Sequence, residues 1–339
     1  MSKNTLVLFD IDGVLVDVRP SYYRVIQKTV IFYLRDILGF PVPDDLVTEA
    51  HVAAVKRMGG FNNDWYSVVA LLQTFLAAFP PVSPPAGEDV DALRAAVVPL
   101  TRVPDVEERL RAAAQRFLDI EPAVRSAGGG LQGVIAVVGT RNHFLIRSGT
   151  WDPKDDLVVR IYQEIYLGPA LFQQVYGMPA QFYHGPGLID DEVRIISVET
   201  VAQLAEQYPL GLVTGRPRIE AEYALKHLHL WSYFRVLVSL DEVRMEMQRR
   251  GTEEFLGKPH PWSLLEAARV LDPGGRAAVV FVGDTNDDMR AAVRARPWRH
   301  TLAVGCTYVH KDPDEAARHL REAGADIIIH HPDEVISVL

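Results

Sequence analysis

Short apolar segments alternate with helical patterns along the C-terminal half of the chain. The apolar segments are rich in β-branched residues and cover residues 210–215, 234–240, 277–284, 301–305 and 325–330. A similar segment, LVLFD, occupies residues 6–10. Strands that alternate with helices are typical of a parallel sheet with helices on both faces. The pattern therefore predicts an α/β domain built on a doubly wound parallel sheet.

A long insert separates the first predicted strand from the others, and most of it has helical spacing. Apolar residues recur every three or four positions in five stretches, residues 21–39, 44–58, 63–79, 105–118 and 155–166. We therefore predict a Rossmann-like α/β core formed by residues 1–19 and 190–339. A mostly helical domain, residues 20–189, is inserted after the first strand, and a Pro-rich linker at residues 80–89 interrupts it.

Several residues of the insert indicate where its helices begin and end. Ser21 and Asp44 are predicted to cap the N-termini of two helices, and Gly39 is predicted to end the first. Residues 128–139 are ambiguous, because their valines suit a strand while the neighbouring segments are helical. We predict a helix there.

Composition and charge narrow the function classes. The chain has 339 residues, of which 48% are hydrophobic and 23% charged, as in ordinary globular proteins. Its net charge of −9 and its lack of Lys/Arg blocks argue against a nucleic-acid-binding surface. No apolar segment has membrane-spanning length, and the segment before the first strand, MSKNT, is too short for a signal peptide. We expect a cytoplasmic protein, and small anionic ligands stay possible because one local pocket can be positive in an acidic protein.

Three carboxylates, Asp10, Asp12 and Asp17, lie at the end of the first predicted strand or soon after it. Ligands of open α/β sheets bind beyond the carboxyl ends of the strands, and residues i and i+2 of an extended segment face the same side. Asp10 and Asp12 can therefore share one site, where a hard cation such as Mg²⁺ would offset their repulsion. Gly13 then allows a sharp turn. The alternative is a turn whose aspartates cap a helix.

Three further segments place polar groups where such a ligand is expected. Thr214 and Gly215 end a strand and can hold a phosphoryl oxygen through a hydroxyl and backbone N–H groups. Lys258 is a point charge suited to phosphate, and the alternative is a solvated surface lysine. Asp284 and Asp288 follow another strand. They are candidate metal ligands, and the alternative is a pair of acids at a helix N-terminus.

In this order the four segments resemble the haloacid dehalogenase (HAD) superfamily. Its pattern is Asp-x-Asp-Gly after the first strand, a hydrophobic strand ending in Thr or Ser, a Lys, and then Gly-Asp-x-x-x-Asp. The corresponding segments here are DIDG, LVTG, GKP and GDTNDD. The helical insert resembles the type-1 cap of that superfamily, although it is longer than the usual four-helix cap. The segments GGFNNDW and VTGRPRIEAEYAL are similar to a branch of predicted phosphatases.

The resemblance implies a magnesium-dependent phosphatase that acts on a small phosphorylated metabolite. Asp10 is then the nucleophile that forms an aspartyl-phosphate. Asp12 is the acid that protonates the leaving group and later the base that activates water. Thr214 and Lys258 bind phosphoryl oxygens. The implied ligands of Mg²⁺ are the carboxylate of Asp10, the backbone carbonyl of Asp12 and the carboxylate of Asp284. Asp288 is implied either as a further direct ligand or as a residue that orients the ligands.

Other residues are candidates for binding the substrate. Gly215 borders the predicted phosphoryl site, and Arg216 either reaches the phosphate or anchors its loop. In the insert, the segment 56–65 gathers polar groups at a helix junction that two glycines interrupt. Its candidates for recognising the rest of the substrate are Lys56, Arg57, Asn62 and Asn63. The alternative is that one of these asparagines caps the following helix.

Three other functions stay open at this point. A phosphomutase would share every core residue and differ in the fate of the phosphoryl group. A carbon–halogen or carbon–phosphorus hydrolase fits less well, because relatives with that chemistry generally lack an acid at the position of Asp12. The carbon–phosphorus enzyme would also need a Schiff-base lysine in the cap, for which Lys56 is the candidate. A non-enzymatic binding module is disfavoured because no core acid is missing.

Overall fold

The computed structural model describes residues 5–61 and 64–339. The chain divides into two compact units. The core unit comprises Met1–Val18 and Glu192–Leu339, and the inserted unit comprises Arg19–Asp191. None of the helices in the described residues is long and apolar enough to cross a membrane.

The described part of the core unit contains a six-stranded parallel sheet and a separate pair of short strands. The strands are β1 (Thr5–Phe9), β2 (Val16–Asp17), β3 (Val193–Arg194), β4 (Leu210–Val213), β5 (Val236–Val238), β6 (Ala278–Gly283), β7 (Thr301–Cys306) and β8 (Ile327–Ile329). The order in the large sheet is β5-β4-β1-β6-β7-β8, and every pairing is parallel. All six apolar segments predicted as strands are strands, and the predicted α/β class is confirmed.

The continuous apolar pattern of β1 arises because both faces of the sheet are covered. Val7 and Phe9 pack into one hydrophobic cluster, while Leu6 and Leu8 pack into another. All four side chains are almost completely buried. Successive residues of a strand point to opposite faces, so a strand buried on both faces has no polar alternation. The helices of the core unit are α9 (Val198–Gln207), α10 (Arg218–His227), α11 (Leu240–Arg250), α12 (Trp262–Leu271), α13 (Asn286–Ala295), α14 (Pro313–Glu322) and α15 (Val335–Val338).

The described residues of the inserted unit are mostly helical, as predicted. Its helices are α1 (Arg19–Phe32), α2 (Glu49–Met58), α3 (Asp64–Ala77), α4 (Val90–Thr101), α5 (Val106–Asp119), α6 (Glu121–Ser126), α7 (Gly130–Val138) and α8 (Leu157–Tyr176). Helix α7 confirms the helix predicted for residues 128–139. Gly39 has a φ of +80° and follows a π-helical segment, Tyr33–Ile37, as a terminating glycine does.

Both predicted N-caps of the insert are wrong. Ser21 is buried inside α1, which begins two residues earlier. Thr48, rather than Asp44, caps α2, and the backbone N–H of Thr48 donates to Nδ1 of His51. Asp44 instead forms an ion pair with Arg35. Thr48 directly precedes the helix and offers a competing capping side chain, so the helix begins four residues later than a cap at Asp44 would require.

The sheet topology identifies where a ligand can bind. β1 lies between β4 and β6, and the strand order runs outward from β1 in both directions. The strand order therefore changes direction beside β1, and the carboxyl ends of strands at such a point are the usual ligand position in open α/β sheets.

Candidate active site

Three of the predicted site residues follow neighbouring strands at the carboxyl edge of the sheet. Asp10 follows β1, Thr214 follows β4 and Asp284 follows β6. The strands are aligned there, because Phe9 pairs with both Leu212 and Val282. Parallel pairing therefore brings side chains that are far apart in sequence to one edge of the core unit.

The carboxylate of Asp10 is buried and anchored on both oxygens. Its Oδ1 accepts a hydrogen bond from the backbone N–H of Ile11 at 2.8 Å, and its Oδ2 lies 2.7 Å from Nζ of Lys258. Burial raises the pKa of Asp10 to about 7, and the Lys258 ammonium opposes that rise. The neighbouring Lys258 cation therefore favours the ionised form of this carboxylate.

Lys258 is a largely buried cation shared by two carboxylates. Its Nζ lies 2.7 Å from Asp10 and 2.6 Å from Asp288, and its side chain is 13% exposed. Burial disfavours the ammonium, but the charges of Asp10 and Asp288 outweigh burial and raise the pKa of Lys258. The lysine is thus held as a fixed positive charge beside Asp10, which excludes the alternative of a solvated surface lysine.

The carboxylate of Asp284 leaves one buried oxygen without a protein partner. Among the described residues nothing donates a hydrogen bond to its Oδ1. Burial raises the pKa of Asp284 well above its usual range, and the charges of Asp288 and Asp10 raise it further. One carboxylate oxygen from each of Asp10, Asp284 and Asp288 lies within 4.8 Å of the others. A buried set of hard oxygen ligands with excess negative charge suits Mg²⁺.

Gly13 leaves room for the Asp284 carboxylate. A Cβ atom at Gly13 would lie 2.1 Å from Asp284 Oδ2, and the φ of Gly13 is +75°. Both facts disfavour any other residue, because a side chain would displace the carboxylate and would strain the backbone. The turn after β1 is therefore shaped around the acidic cluster.

Asp288 orients the loop that carries Asp284. Its Oδ2 accepts hydrogen bonds from the backbone N–H groups of Asp284 and Thr285 and from the Thr285 hydroxyl. Its Oδ1 faces Lys258. Apart from this ion pair, Oδ1 has no hydrogen-bond partner among the described residues. Asp288 therefore orients the Asp284 loop through Oδ2, and its Oδ1 is available to Lys258 or to a metal ion.

The loop after β4 presents a hydroxyl and an open backbone. Thr214 is buried, and its Oγ1 accepts a hydrogen bond from the backbone N–H of Arg216. Gly215 is exposed, and a Cβ atom there would meet nothing within 4 Å. Ligand atoms can therefore approach the backbone at Gly215. Arg216 is paired with Asp12 and with Glu192.

Sequence reasoning missed three groups at this edge. Glu192 binds Arg216, Glu220 is buried in the first turn of α10, and Nε2 of His310 lies 2.9 Å from the backbone carbonyl of Asp284. His310 follows β7, so its position after a strand was a usable signal. Glu220 lies within a helical pattern and Glu192 in an acidic segment without periodicity, so neither carries a comparable signal.

The candidates in the inserted unit have partners within that unit. Lys56 Nζ lies 2.6 Å from Asp64, and Arg57 Nε lies 2.8 Å from Glu121. Either cation would have to exchange its partner to bind a substrate group. Asn62 and Asn63 lie outside the described residues.

Glu220 makes the stability of the core unit depend on pH. Its side chain is buried, and burial raises its pKa from 4.5 to about 8. The unfolded chain therefore ionises this group at lower pH than the folded chain does, so stability falls as the pH rises from 4.5 towards 8. Glu220→Gln is neutral in both states. The unfolding free energy of wild type should therefore fall relative to that of Glu220→Gln as the pH rises. We expect the difference between the two proteins to change by about 3 kcal/mol between pH 5.5 and 8.

Urea unfolding followed by circular dichroism at both pH values measures this difference. Glu222→Gln is the matched control in the same helix, because hydrogen bonding to Lys226 lowers the pKa of Glu222. Its stability relative to wild type should not rise with pH. A pH-independent effect of Glu220→Gln would mean that Glu220 is ionised in the folded protein.

A family model described as haloacid dehalogenase-like hydrolase matches residues 5–296. The chain is 34% identical over 131 residues to N-acetylmuramic acid 6-phosphate phosphatase of Pseudomonas aeruginosa, a match that covers 38% of this chain and 49% of that protein. It is 35% identical over 92 residues to pyrophosphatase PpaX of Bacillus cereus, covering 27% of this chain and 37% of that protein. The chain thus matches half or less of the length of these relatives.

Two solved structures have a similar fold at low sequence identity. An X-ray structure determined as a structural genomics target has a TM-score of 0.63 and 20% identity, with 98% of each chain covered. Phosphatase Tt82 from Thermococcus thioreducens has a TM-score of 0.56 and 21% identity, with 94% of this chain and 99% of that chain covered. At these identities the similarity shows the fold alone.

Proposed function

The chain belongs to the haloacid dehalogenase-like hydrolases, and on that premise we propose that it is a magnesium-dependent phosphatase of a small phosphorylated metabolite. The observation that carries the proposal is the ion pair of Asp10 with Lys258, with a carboxylate oxygen of Asp284 within 4.8 Å of one of Asp10. Asp284 also has a buried oxygen, Oδ1, without a hydrogen-bond partner among the described residues. The arrangement combines a nucleophile, Asp10, with a fixed cation, Lys258, and with an acidic site for a second cation. Such a site can bind and transfer a group that carries negative charge.

The proposed reaction has two steps, both at phosphorus. In the first, an oxygen of Asp10 attacks phosphorus while the bond to the leaving oxygen breaks, and Asp12 gives its proton to that oxygen. In the second, water attacks the phosphorus of the aspartyl-phosphate, Asp12 takes a proton from the water, and the bond to Asp10 breaks. Phosphate leaves, and both carboxyl groups return to their starting forms.

Other groups of the core unit would bind the phosphoryl oxygens and the metal. Lys258 offers an ammonium group fixed by its ion pair with Asp10, and Thr214 and Gly215 offer a hydroxyl and an accessible backbone. Mg²⁺ would be held by Asp10 and Asp284 and would supply positive charge that offsets repulsion between the phosphate and the carboxylates. These groups act by positioning and charge neutralisation, which dominate phosphoryl transfer.

Substrate selectivity is proposed to reside in the inserted unit. The groups named above recognise only a phosphoryl group, which is common to every substrate of this class. The two curated relatives are named for different phosphate compounds, a sugar phosphate and pyrophosphate. Lys56 and Arg57 stay candidates for recognising the rest of the molecule.

The first test is release of inorganic phosphate from 4-nitrophenyl phosphate by the purified protein, with Mg²⁺ and with excess EDTA. The proposal predicts turnover with Mg²⁺ and its loss with EDTA. Phosphate release that is undiminished by EDTA would contradict the metal requirement. Absence of release in both conditions, from this compound and from a panel of phosphorylated metabolites, would contradict the phosphatase assignment.

Replacing Asp12 by asparagine tests the proposed acid. An alkyl leaving group needs a proton to depart, whereas a nitrophenolate leaves readily without one. Asp12→Asn should therefore slow hydrolysis of alkyl phosphates by about 10²–10⁴-fold and that of 4-nitrophenyl phosphate by less than about tenfold. Paired measurements of kcat on the two substrates check this, and equal losses would assign Asp12 a purely structural or metal-binding role.

A further inference from the structure

The guanidinium of Arg216 is buried between two carboxylates. Its Nη1 and Nη2 lie 3.0 and 3.1 Å from the two oxygens of Glu192, so this pair is bidentate. On the other edge, its Nε and Nη2 lie 2.7 and 2.6 Å from Asp12 Oδ1. The side chains of Arg216 and Glu192 are 2% and 1% exposed, whereas that of Asp12 is 32% exposed. Arg216 thus links a buried carboxylate, that of Glu192, to a carboxylate that solvent reaches, that of Asp12.

The Arg216–Glu192 pair orients the arginine more than it stabilises the fold. Removing two charges from water costs several kcal/mol per ion, and apolar residues of the same size often stabilise a protein as well. A bidentate pair, however, fixes the plane of the guanidinium. Glu192 therefore holds the edge that carries Nε against Asp12.

The contact with Arg216 makes the two oxygens of Asp12 unequal. Oδ1 faces both Nε and Nη2, whereas Oδ2 has no hydrogen-bond partner among the described residues. A carboxylic acid carries its proton on one oxygen, and the oxygen already facing two donors is the poorer place for it. The geometry therefore reserves Oδ2 for the proton and fixes the carboxyl group through Oδ1.

We propose that Arg216, oriented by Glu192, is a positioning residue that holds Asp12 for proton transfer through Oδ2, an inference that rests on the proposed function. In the first step the proton passes from Oδ2 to the leaving oxygen as its bond to phosphorus breaks. The negative charge stays on Asp12, beside the Arg216 cation. In the second step Oδ2 accepts a proton from the attacking water. Orientation matters because proton transfer requires hydrogen-bond geometry.

A direct contact between Arg216 and the substrate phosphate predicts a different outcome. Both edges of the guanidinium are engaged, so a phosphate would have to displace Asp12 or Glu192. Loss of a phosphate contact would weaken binding of every phosphate ester alike, whatever its leaving group. Loss of a positioning contact would instead slow the esters with poor leaving groups.

A series of phenyl phosphates, from 4-nitrophenyl phosphate to unsubstituted phenyl phosphate, separates the two roles. The variants are Arg216→Lys and Glu192→Gln, and the matched control is Arg218→Lys. Arg218 is the next arginine along the chain, and its guanidinium binds Glu242 and the carbonyl of Leu237 instead. In both test variants we expect kcat to fall about 10–100-fold on phenyl phosphate and less than about threefold on 4-nitrophenyl phosphate, with KM little changed. The control should match wild type.

A double variant shows whether Glu192 acts through Asp12. If it does, Glu192→Gln adds no further loss on phenyl phosphate when Asp12 is already asparagine. The variants must keep the wild-type circular dichroism spectrum. The inference would then be overturned by additive losses in the double variant, by equal losses of kcat along the series, or by a rise in KM that all substrates share. A wild type that releases phosphate neither from this series nor from a panel of phosphorylated metabolites would instead overturn the proposed function, and this inference with it.

Discussion

The Asp10→Asn variant is expected to lose phosphatase activity by at least about 10³-fold, because an amide cannot form the acyl phosphate and the covalent route is removed. The substitution keeps the shape of a side chain that is buried against Ile11 and Lys258. It also removes a charge that burial disfavours, since burial raises the pKa of Asp10 to about 7. The variant should therefore fold, and its loss should appear in kcat.

Phosphate release by purified Asp10→Asn and wild type, on the same substrate and with saturating Mg²⁺, measures this effect. Asp287→Asn is a suitable control, because Asp287 is a partly exposed acid of α13 that pairs with Arg290. The control should retain activity close to that of wild type. Turnover of Asp10→Asn within about tenfold of wild type would exclude Asp10 as the nucleophile.

Loss of the Asp284 carboxylate should produce the second large effect, through the metal. Substitution of residues that only support a metal ligand typically costs 10–100-fold in affinity, so removal of a direct ligand should weaken Mg²⁺ binding by at least about 100-fold. The partnerless Oδ1 of Asp284 is the basis of this expectation. In Asp284→Ala, activity should be lost at millimolar Mg²⁺ and recover in part at higher concentrations.

Metal binding can be measured without turnover, by titrating Mn²⁺ and following its free fraction by electron paramagnetic resonance. Wild type and the Asp287→Asn control should bind alike, whereas Asp284→Ala should bind far more weakly. Calcium should inhibit wild type, because it prefers more oxygen ligands at longer distances than Mg²⁺. Unchanged Mn²⁺ affinity in Asp284→Ala would remove Asp284 from the metal site.

The parallel sheet could be predicted because a strand buried on both faces has an unmistakable apolar pattern. Thr5–Phe9 and Ala278–Gly283 are almost entirely buried, and both were visible as continuous apolar segments. The short antiparallel pair β2–β3 was missed, because two-residue strands carry no periodicity. The N-caps failed at Ser21 and Asp44, because α1 begins two residues before Ser21 and Thr48 occupies the N-cap position of α2.

Only those site residues that lie at the ends of strands could be predicted from the sequence. Asp10, Thr214 and Asp284 each end or follow a strand, and parallel pairing then brings them to one edge. The partner of Arg216 could not be predicted in this way. Glu192 lies 24 residues before Arg216, in a segment without strand or helix periodicity, and only the three-dimensional path of the chain buries it against the guanidinium.

Covalent transfer to Asp10 is the central claim, and trapping the aspartyl-phosphate tests it most directly. Wild type is mixed with substrate and Mg²⁺, quenched in acid within a turnover, and treated with borohydride, which reduces an acyl phosphate to an alcohol. Mass spectrometry of the peptide containing residue 10 should then show homoserine at that position, and only when substrate was present. Turnover that leaves Asp10 unmodified, with the phosphoryl group on another residue, would contradict the account.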